Sequence, residues 1–248
     1  RQRIDLAPYP ACRNTIGGGV HNYNNHPCSL LKPPQLRQWV SLRVARSARR
    51  QAVCFIAEAP LNQPIPLARP NITQAEIDAV VAVMRTPHLS LGPKVPEFEK
   101  DFAAHCGTRH AVACINGTAA LHLVVRAMGI RPGDEVITTP FSFVASANCI
   151  LMENATPVFA DIDPQTWNID PQRVAAAITK KTKAILPVDV FGQPADFTAI
   201  RSLARTHTLR GIEDSCEALG STYGGRAAGS LGDAGVFGFY PNKQITTG

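Results

Sequence analysis

The stretch "HAVACINGTAALHLVVRAMGIRPGDEVITTPFSFVASANCILMENATPVFADI", residues 110 to 162, alternates short apolar runs with longer segments of helical period. "HAVACI" (110–115) reads as a strand and "GTAALHLVVRAMG" (117–129) as the helix that follows it. "DEVITTP" (134–140) is a second strand, "SFVASANCILMENA" (142–155) a second helix, and "TPVFADI" (156–162) a third strand. Val, Ile and Thr favour the strands, while Ala and Leu favour the helices. Parallel strands need a crossover between them, and a helix is the usual one. This alternation therefore predicts an α/β fold, a mostly parallel sheet with helices on both faces.

The pattern continues on both sides. Downstream come a helix in "DPQRVAAAIT" (170–179), a strand in "TKAILPVDV" (182–190) and a helix in "ADFTAIRSLARTH" (195–207). A strand in "LRGIEDS" (209–215) then leads into a short helix, and "AGVFGFY" (234–240) closes the sheet, with Val236 to Tyr240 as its apolar run. Upstream, Thr73 and Glu76 form a capping box for a helix to about Arg85. Ile77, Val80, Val81 and Met84 make its apolar face. "PHLSLGPK" is a loop, and "VPEFEKDFAAHCG" a helix that ends at Gly107.

Residues 64–248 thus form one α/β domain, and residues 1–63 a different kind of sequence. The first 63 residues hold nine Lys/Arg and two Asp/Glu, or +7; the remaining 185 hold sixteen and seventeen, or −1. The basic character belongs to an irregular leader, expected to be poorly ordered and foreign to the fold. A basic arm is compatible with nucleic acid or anionic lipid, but the globular part is near neutral, and neither partner is expected. Gly17 to Gly19 follow no strand and read as a flexible turn. Seven cysteines at 12, 28, 54, 106, 114, 149 and 216 form no CxxC. That excludes a disulfide scaffold or zinc motif and favours a reducing cytoplasm. No metal site is expected. No apolar run is long enough to span a bilayer, and the start has no secretory-signal pattern.

Ligands of a parallel sheet bind beyond the carboxyl ends of its strands. Asn116-Gly117-Thr118, Pro140 to Phe143, Asp189, Asp214 and Lys243 fall there. Gly117 lets the backbone approach a ligand, and the helix start and the Thr118 hydroxyl suit a phosphate. A tight turn capped by Thr118 is the plain alternative. Alternation along "GIEDS" sends one of Glu213 and Asp214 inward and the other to the rim; the plain alternative is an Asp helix cap. Phe143 is a platform for a flat ring, or core. Lys243 is a surface lysine, or an amine able to form a Schiff base. A phosphate cradle, a ring platform, an acid for a ring nitrogen and an amine for an aldehyde together suit one ligand, pyridoxal 5'-phosphate.

At this point the sequence resembles a known family. "LSLGPKVPEFEKDFAAHCG", "NGTAALHLVVRAMGIRPGDEVI", "ATPVFADIDPQTWNID", "FGQPADFTAI", "EDSCEALGSTYGGRAAGSLGDAG" and "FGFYPNKQITTG" are similar to the DegT/DnrJ/StrS sugar aminotransferases, fold-type I pyridoxal-phosphate enzymes. The resemblance runs from about Ile65 to Gly248. It implies that Lys243 is the Schiff-base lysine, that Asp214 keeps the pyridine nitrogen protonated, and that Phe143 stacks on the ring. It also implies that Gly117 and Thr118 hold the phosphate. Glu217 falls where relatives carry Gln or His near the cofactor's hydroxyl edge. Gly238 falls where many carry a phosphate-binding Ser, which shifts that work to Thr118 and the backbone.

The implied reaction is transfer of an amino group from an amino acid, glutamate by resemblance, to a nucleotide-linked keto-sugar for polysaccharide or amino-sugar synthesis. Family members run on past the lysine to a small C-terminal domain and act as homodimers. Residues 64–248 are therefore expected to be an incomplete large domain. An inactive fragment or a non-catalytic cofactor-binding or regulatory protein is the alternative. The dehydratase branch of the family replaces the lysine by histidine, so Lys243 argues against it. No GxGxxG follows the first strand, which argues against a dinucleotide binder.

Overall fold

A computed structural model of the chain describes Pro66 and residues 69–247, all within one compact unit, Asn62–Gly248. The basic segment 1–63 lies outside the described residues. Helix α1 (Gln74–Met84) starts as expected: Thr73 Oγ1 accepts from the Ala75 amide, and the Thr73 amide donates to Glu76 Oε2 at 2.6 Å. Helix α2 (Lys94–Cys106) ends at Gly107, whose φ of 65° suits a residue without a Cβ. Helix α3 (Gly117–Ala127) follows, then strand β1 (Glu135–Thr138), helix α4 (Ala145–Leu151) and strand β2 (Thr156–Phe159). Helix α5 (Pro171–Ala177), strand β3 (Thr182–Leu186), helix α6 (Phe197–His207) and strand β4 (Arg210–Asp214) continue the alternation. A two-strand hairpin, β5 (Thr222–Tyr223) and β6 (Arg226–Ala227), precedes the last strand, β7 (Ala234–Val236).

Five strands form one parallel sheet in the order β2-β1-β3-β4-β7. One apolar cluster packs α3 and α4 onto it through Leu121, Val125, Cys149, Ile150, Val136, Leu186 and Ile212. A second cluster, with Val174, Ile200, Ile137 and Ile185, lies under α5 and α6. The α/β class with a covered parallel sheet is thus observed. Among the described residues, no helix is long and apolar enough to cross a membrane.

Four local expectations fail. Residues 110–115 form no strand, and Val112 and Ile115 are 81% and 89% exposed. A strand needs a neighbour for its amides, and none flanks this segment. The closing strand ends at Val236, not Tyr240. Phe237 and Phe239 leave the sheet and pack edge-on against Phe102 of α2, with ring centroids 5.0 and 5.5 Å away. No helix follows β4: residues 215–221 are turns. Finally, Ile77, Val80 and Met84 of α1 are exposed, so the apolar face of that helix covers no core among the described residues.

Candidate active site

Strand β4 delivers two carboxyl groups in succession. Both are buried. Glu213 is a structural anchor: its carboxylate accepts the amides of Gly229, Leu231 and Gly232 at 2.5, 2.7 and 3.2 Å. Asp214 lies on the opposite face of the strand, as alternation requires. Its Oδ2 accepts the Ser146 hydroxyl at 2.8 Å and its Oδ1 the Cys216 amide at 3.3 Å. The latter closes a local turn rather than capping a helix.

Ser146 belongs to a short relay, with its hydroxyl 2.7 Å from that of Ser142. Its role was not legible in the sequence, because Ser142 precedes α4 and the pair is not a helical one. The relay ties the acid to the loop that carries Phe143, since the Ser146 amide also donates to the Phe143 carbonyl at 3.2 Å. Phe143 itself is exposed, so its ring face is open and it is not core.

Burial and the negative charge of Asp214 push the Cys149 thiol up to about 12. The same two causes hold the Cys216 thiol well above its ordinary value. Both thiols are therefore uncharged packing groups rather than nucleophiles.

Cys216 is the hub of the other parts. A Cβ on Gly117 would lie 3.3 Å from its sulfur and 3.7 Å from Gly238 Cα. The two glycines thus leave a shallow cradle over Cys216 where side chains would crowd. Helix α3 begins in this cradle. Asn116, not Thr118, caps it: the Asn116 side chain accepts from the Ala119 amide at 2.8 Å. The Gly117 and Thr118 amides and the Thr118 hydroxyl have no partner among the described residues. A group with anionic oxygens fits this donor set.

Lys243 sits in a turn after β7, its amide donating to the Tyr240 carbonyl at 2.9 Å. Its Nζ donates to Glu217 Oε1 at 2.9 Å, and the Phe191 amide donates to Glu217 Oε2 at 3.1 Å. Burial opposes ionisation of Glu217, but the Lys243 contact and the Phe191 amide outweigh it and hold the carboxyl below its usual range. Three threads therefore meet on one segment, Asp214 to Glu217. Gly117 and Gly238 reach it through Cys216, and Phe143 through Ser146. Lys243 reaches it through Glu217. No group of His, Cys, Asp or Glu able to hold a metal occurs among the described residues.

A phosphate-sized donor cradle, a buried carboxylate, an open aromatic face and an amine around one turn suit a phosphorylated aromatic aldehyde. The residues present therefore fit pyridoxal 5'-phosphate.

Comparisons with known proteins agree. A family model described as the DegT/DnrJ/EryC1/StrS aminotransferase family matches residues 70–248. The chain is 50% identical over 185 residues to GDP-perosamine synthase of Caulobacter vibrioides, covering 74% of this chain and 50% of that protein. It is 43% identical over 171 residues to UDP-2-acetamido-2-deoxy-3-oxo-D-glucuronate aminotransferase of Pseudomonas aeruginosa, covering 68% and 48%. A Streptococcus pneumoniae structure in a PLP form, bearing the name of a sugar aminotransferase, superposes with a TM-score of 0.70 at 35% identity, covering 74% of this chain and 50% of that one. The chain spans about half the length of these relatives. On the family model and these identities, the chain belongs to the DegT/DnrJ/EryC1/StrS aminotransferase family.

Proposed function

We propose that this site carries the pyridoxal-phosphate-dependent transfer of an amino group from glutamate to a nucleotide-linked keto-sugar, within a homodimeric cytoplasmic enzyme. The observation that carries the reading is the convergence of cradle, acid, ring and amine on residues 214–217. When bound, the cofactor supplies an aldehyde carbon that takes the amino group and a ring that takes up the electron pair released on deprotonation.

The chain's own residues do the rest. Gly117, Gly238 and the amides at the start of α3 receive the phosphate, with Thr118 Oγ1 as a further donor. Asp214, oriented by Ser146 and the Cys216 amide, offers a carboxylate to a ring nitrogen and favours its protonated form. Phe143 covers the ring and excludes water from one side. Lys243 Nζ takes and returns the proton of the amino-bearing carbon. Glu217 holds that amine until the cofactor enters.

Adding pyridoxal 5'-phosphate is expected to produce an absorbance band at the edge of the visible, absent in Lys243→Ala. Glutamate is expected to bleach it, and a nucleotide-linked keto-sugar to restore it. A band that glutamate leaves unchanged would instead favour the non-catalytic cofactor-binding alternative.

A further inference from the structure

Asp189 follows β3 at a strand end, is fully buried and plays no part in the proposed reaction. Its amide donates to the Asp214 carbonyl at 3.0 Å. Its carboxyl group spans a loop: Oδ1 accepts the Ala195 amide at 3.0 Å, and Oδ2 accepts the Ser215 hydroxyl at 2.8 Å. One side chain thus closes the loop 189–195 on itself and ties it to the segment 214–217.

Two further side chains hold the same loop. The buried Asn168 side chain accepts the Val190 amide at 3.1 Å and donates to the Gln193 carbonyl at 3.0 Å. The Ser221 hydroxyl donates to the Gly192 carbonyl at 2.6 Å. Within the loop, Phe191 has left-handed backbone, with φ of 52° and ψ of 27°. A bulky residue keeps that conformation only where the surroundings impose it. Burial does not impose it here, since Phe191 is 77% exposed. The ties on either side of it do.

The constrained loop runs against residue 217: a Cβ on Gly192 would lie 3.2 Å from the Glu217 carbonyl oxygen. It delivers one amide, that of Phe191, to Glu217 Oε2 at 3.1 Å, while Oε1 accepts Lys243 Nζ at 2.9 Å. The Glu217 side chain is 36% exposed and the Lys243 side chain 18%. A glutamate at such a surface has rotamer freedom to lose, and the Phe191 amide takes it away.

We propose that Asp189 is a positioning residue for Lys243: by closing the loop 189–195 it fixes the Phe191 amide on Glu217, and the fixed carboxylate sequesters the Lys243 amine. This rests on the reading of Lys243 as the reactive amine. The Asp189 carboxyl hydrogen-bonds neither Glu217 nor Lys243, so it acts through the loop.

The test uses the full chain before cofactor is added. An amine paired with a carboxylate is held in its protonated form and acylates slowly. A trace of acetic anhydride is added, and peptide mass spectrometry gives the acylation rate of Lys243 relative to that of the exposed Lys183. Glu217→Ala and Asp189→Ala are each expected to raise the ratio about two- to tenfold. In the Glu217→Ala background, Asp189→Ala is expected to add nothing, because the path runs through that carboxylate. Asp189→Asn keeps an acceptor for the Ala195 amide and is expected to restore the wild-type ratio. Ser215→Ala, which cuts one of the two ties and leaves the carboxyl in place, carries the same test if Asp189→Ala does not fold.

A wild-type ratio in the variant that folds, or an effect that adds in full to that of Glu217→Ala, would overturn the positioning role. The second result would mark Asp189 as a support of the fold alone. The absorbance band that wild type forms with pyridoxal 5'-phosphate tests the reactive role of Lys243 separately. Its absence would overturn that reading and leave the labelling result standing.

Discussion

Asp189 and Glu213 place two carboxyl groups in one buried layer beneath the site. Burial, then the charge of Glu213, pushes Asp189 from 3.8 up to about 8, against the opposing hydrogen bonds from the Ala195 amide and Ser215 hydroxyl. The folded state thus holds a proton that the unfolded chain gives up. The stabilisation is complete below about pH 4 and is lost as pH rises through about 8. Urea-unfolding free energy is expected to fall by up to about 1.4 kcal/mol per pH unit across that window. Asp189→Asn, which keeps an acceptor for Ala195 and places a donor where the proton sat, is expected to flatten the dependence. At the same scale, Ser146→Ala takes the hydroxyl from Asp214 Oδ2 and leaves a buried carboxylate oxygen short of a partner. Denaturation is expected to show a loss of about 1–3 kcal/mol, with a weaker cofactor band at fixed concentration.

Elements divide by what they bury. Ile212 of β4 is fully buried in the main cluster, whereas Ile77 of α1 is exposed. Ile212→Ala is expected to cost about 2–5 kcal/mol, and Ile77→Ala under about 0.5 kcal/mol, by urea denaturation of each variant. Gly235 in β7 faces the backbone of the 229–232 loop so closely that a Cβ would lie 2.1 Å from the Gly229 carbonyl oxygen. Gly235→Ala is therefore expected to lower stability by at least about 1–3 kcal/mol and to pull the loop amides from Glu213.

These contrasts explain what was legible. Thr73 with Glu76, and Gly107, carry local signals, and the ends they mark are real. The strands with partners on both sides, β1, β3 and β4, were plain from their apolar runs. Strand 110–115 has the same composition but no neighbour, and Phe237 and Phe239 alternate like strand residues yet serve α2. Local pattern does not reveal who stands across from a segment. The sequence singles out candidate site residues where a residue type is chemically special at a strand end, as for Asp214, Phe143 and Lys243. It does not do so where a plain residue works by position, as for Ser146, Cys216 and Asn168.

At the scale of the molecule, several large apolar side chains stand exposed. Val112, Ile115, Leu91, Phe143 and Met84 are all exposed, and β7 has one hydrogen-bonded neighbour among the described residues. Exposed apolar patches and open sheet edges favour association. Sedimentation is expected to show concentration-dependent self-association, reduced by the double variant Val112→Lys and Ile115→Lys. The buried acid pair has a further effect on the heat of folding. Near pH 6, assembly of the domain is expected to take up protons from the surrounding buffer, through the raised Asp189 carboxyl. Calorimetric unfolding enthalpies at that pH are therefore expected to differ between phosphate and MES in the direction of the two buffers' ionisation heats, and that difference is expected to shrink in Asp189→Asn.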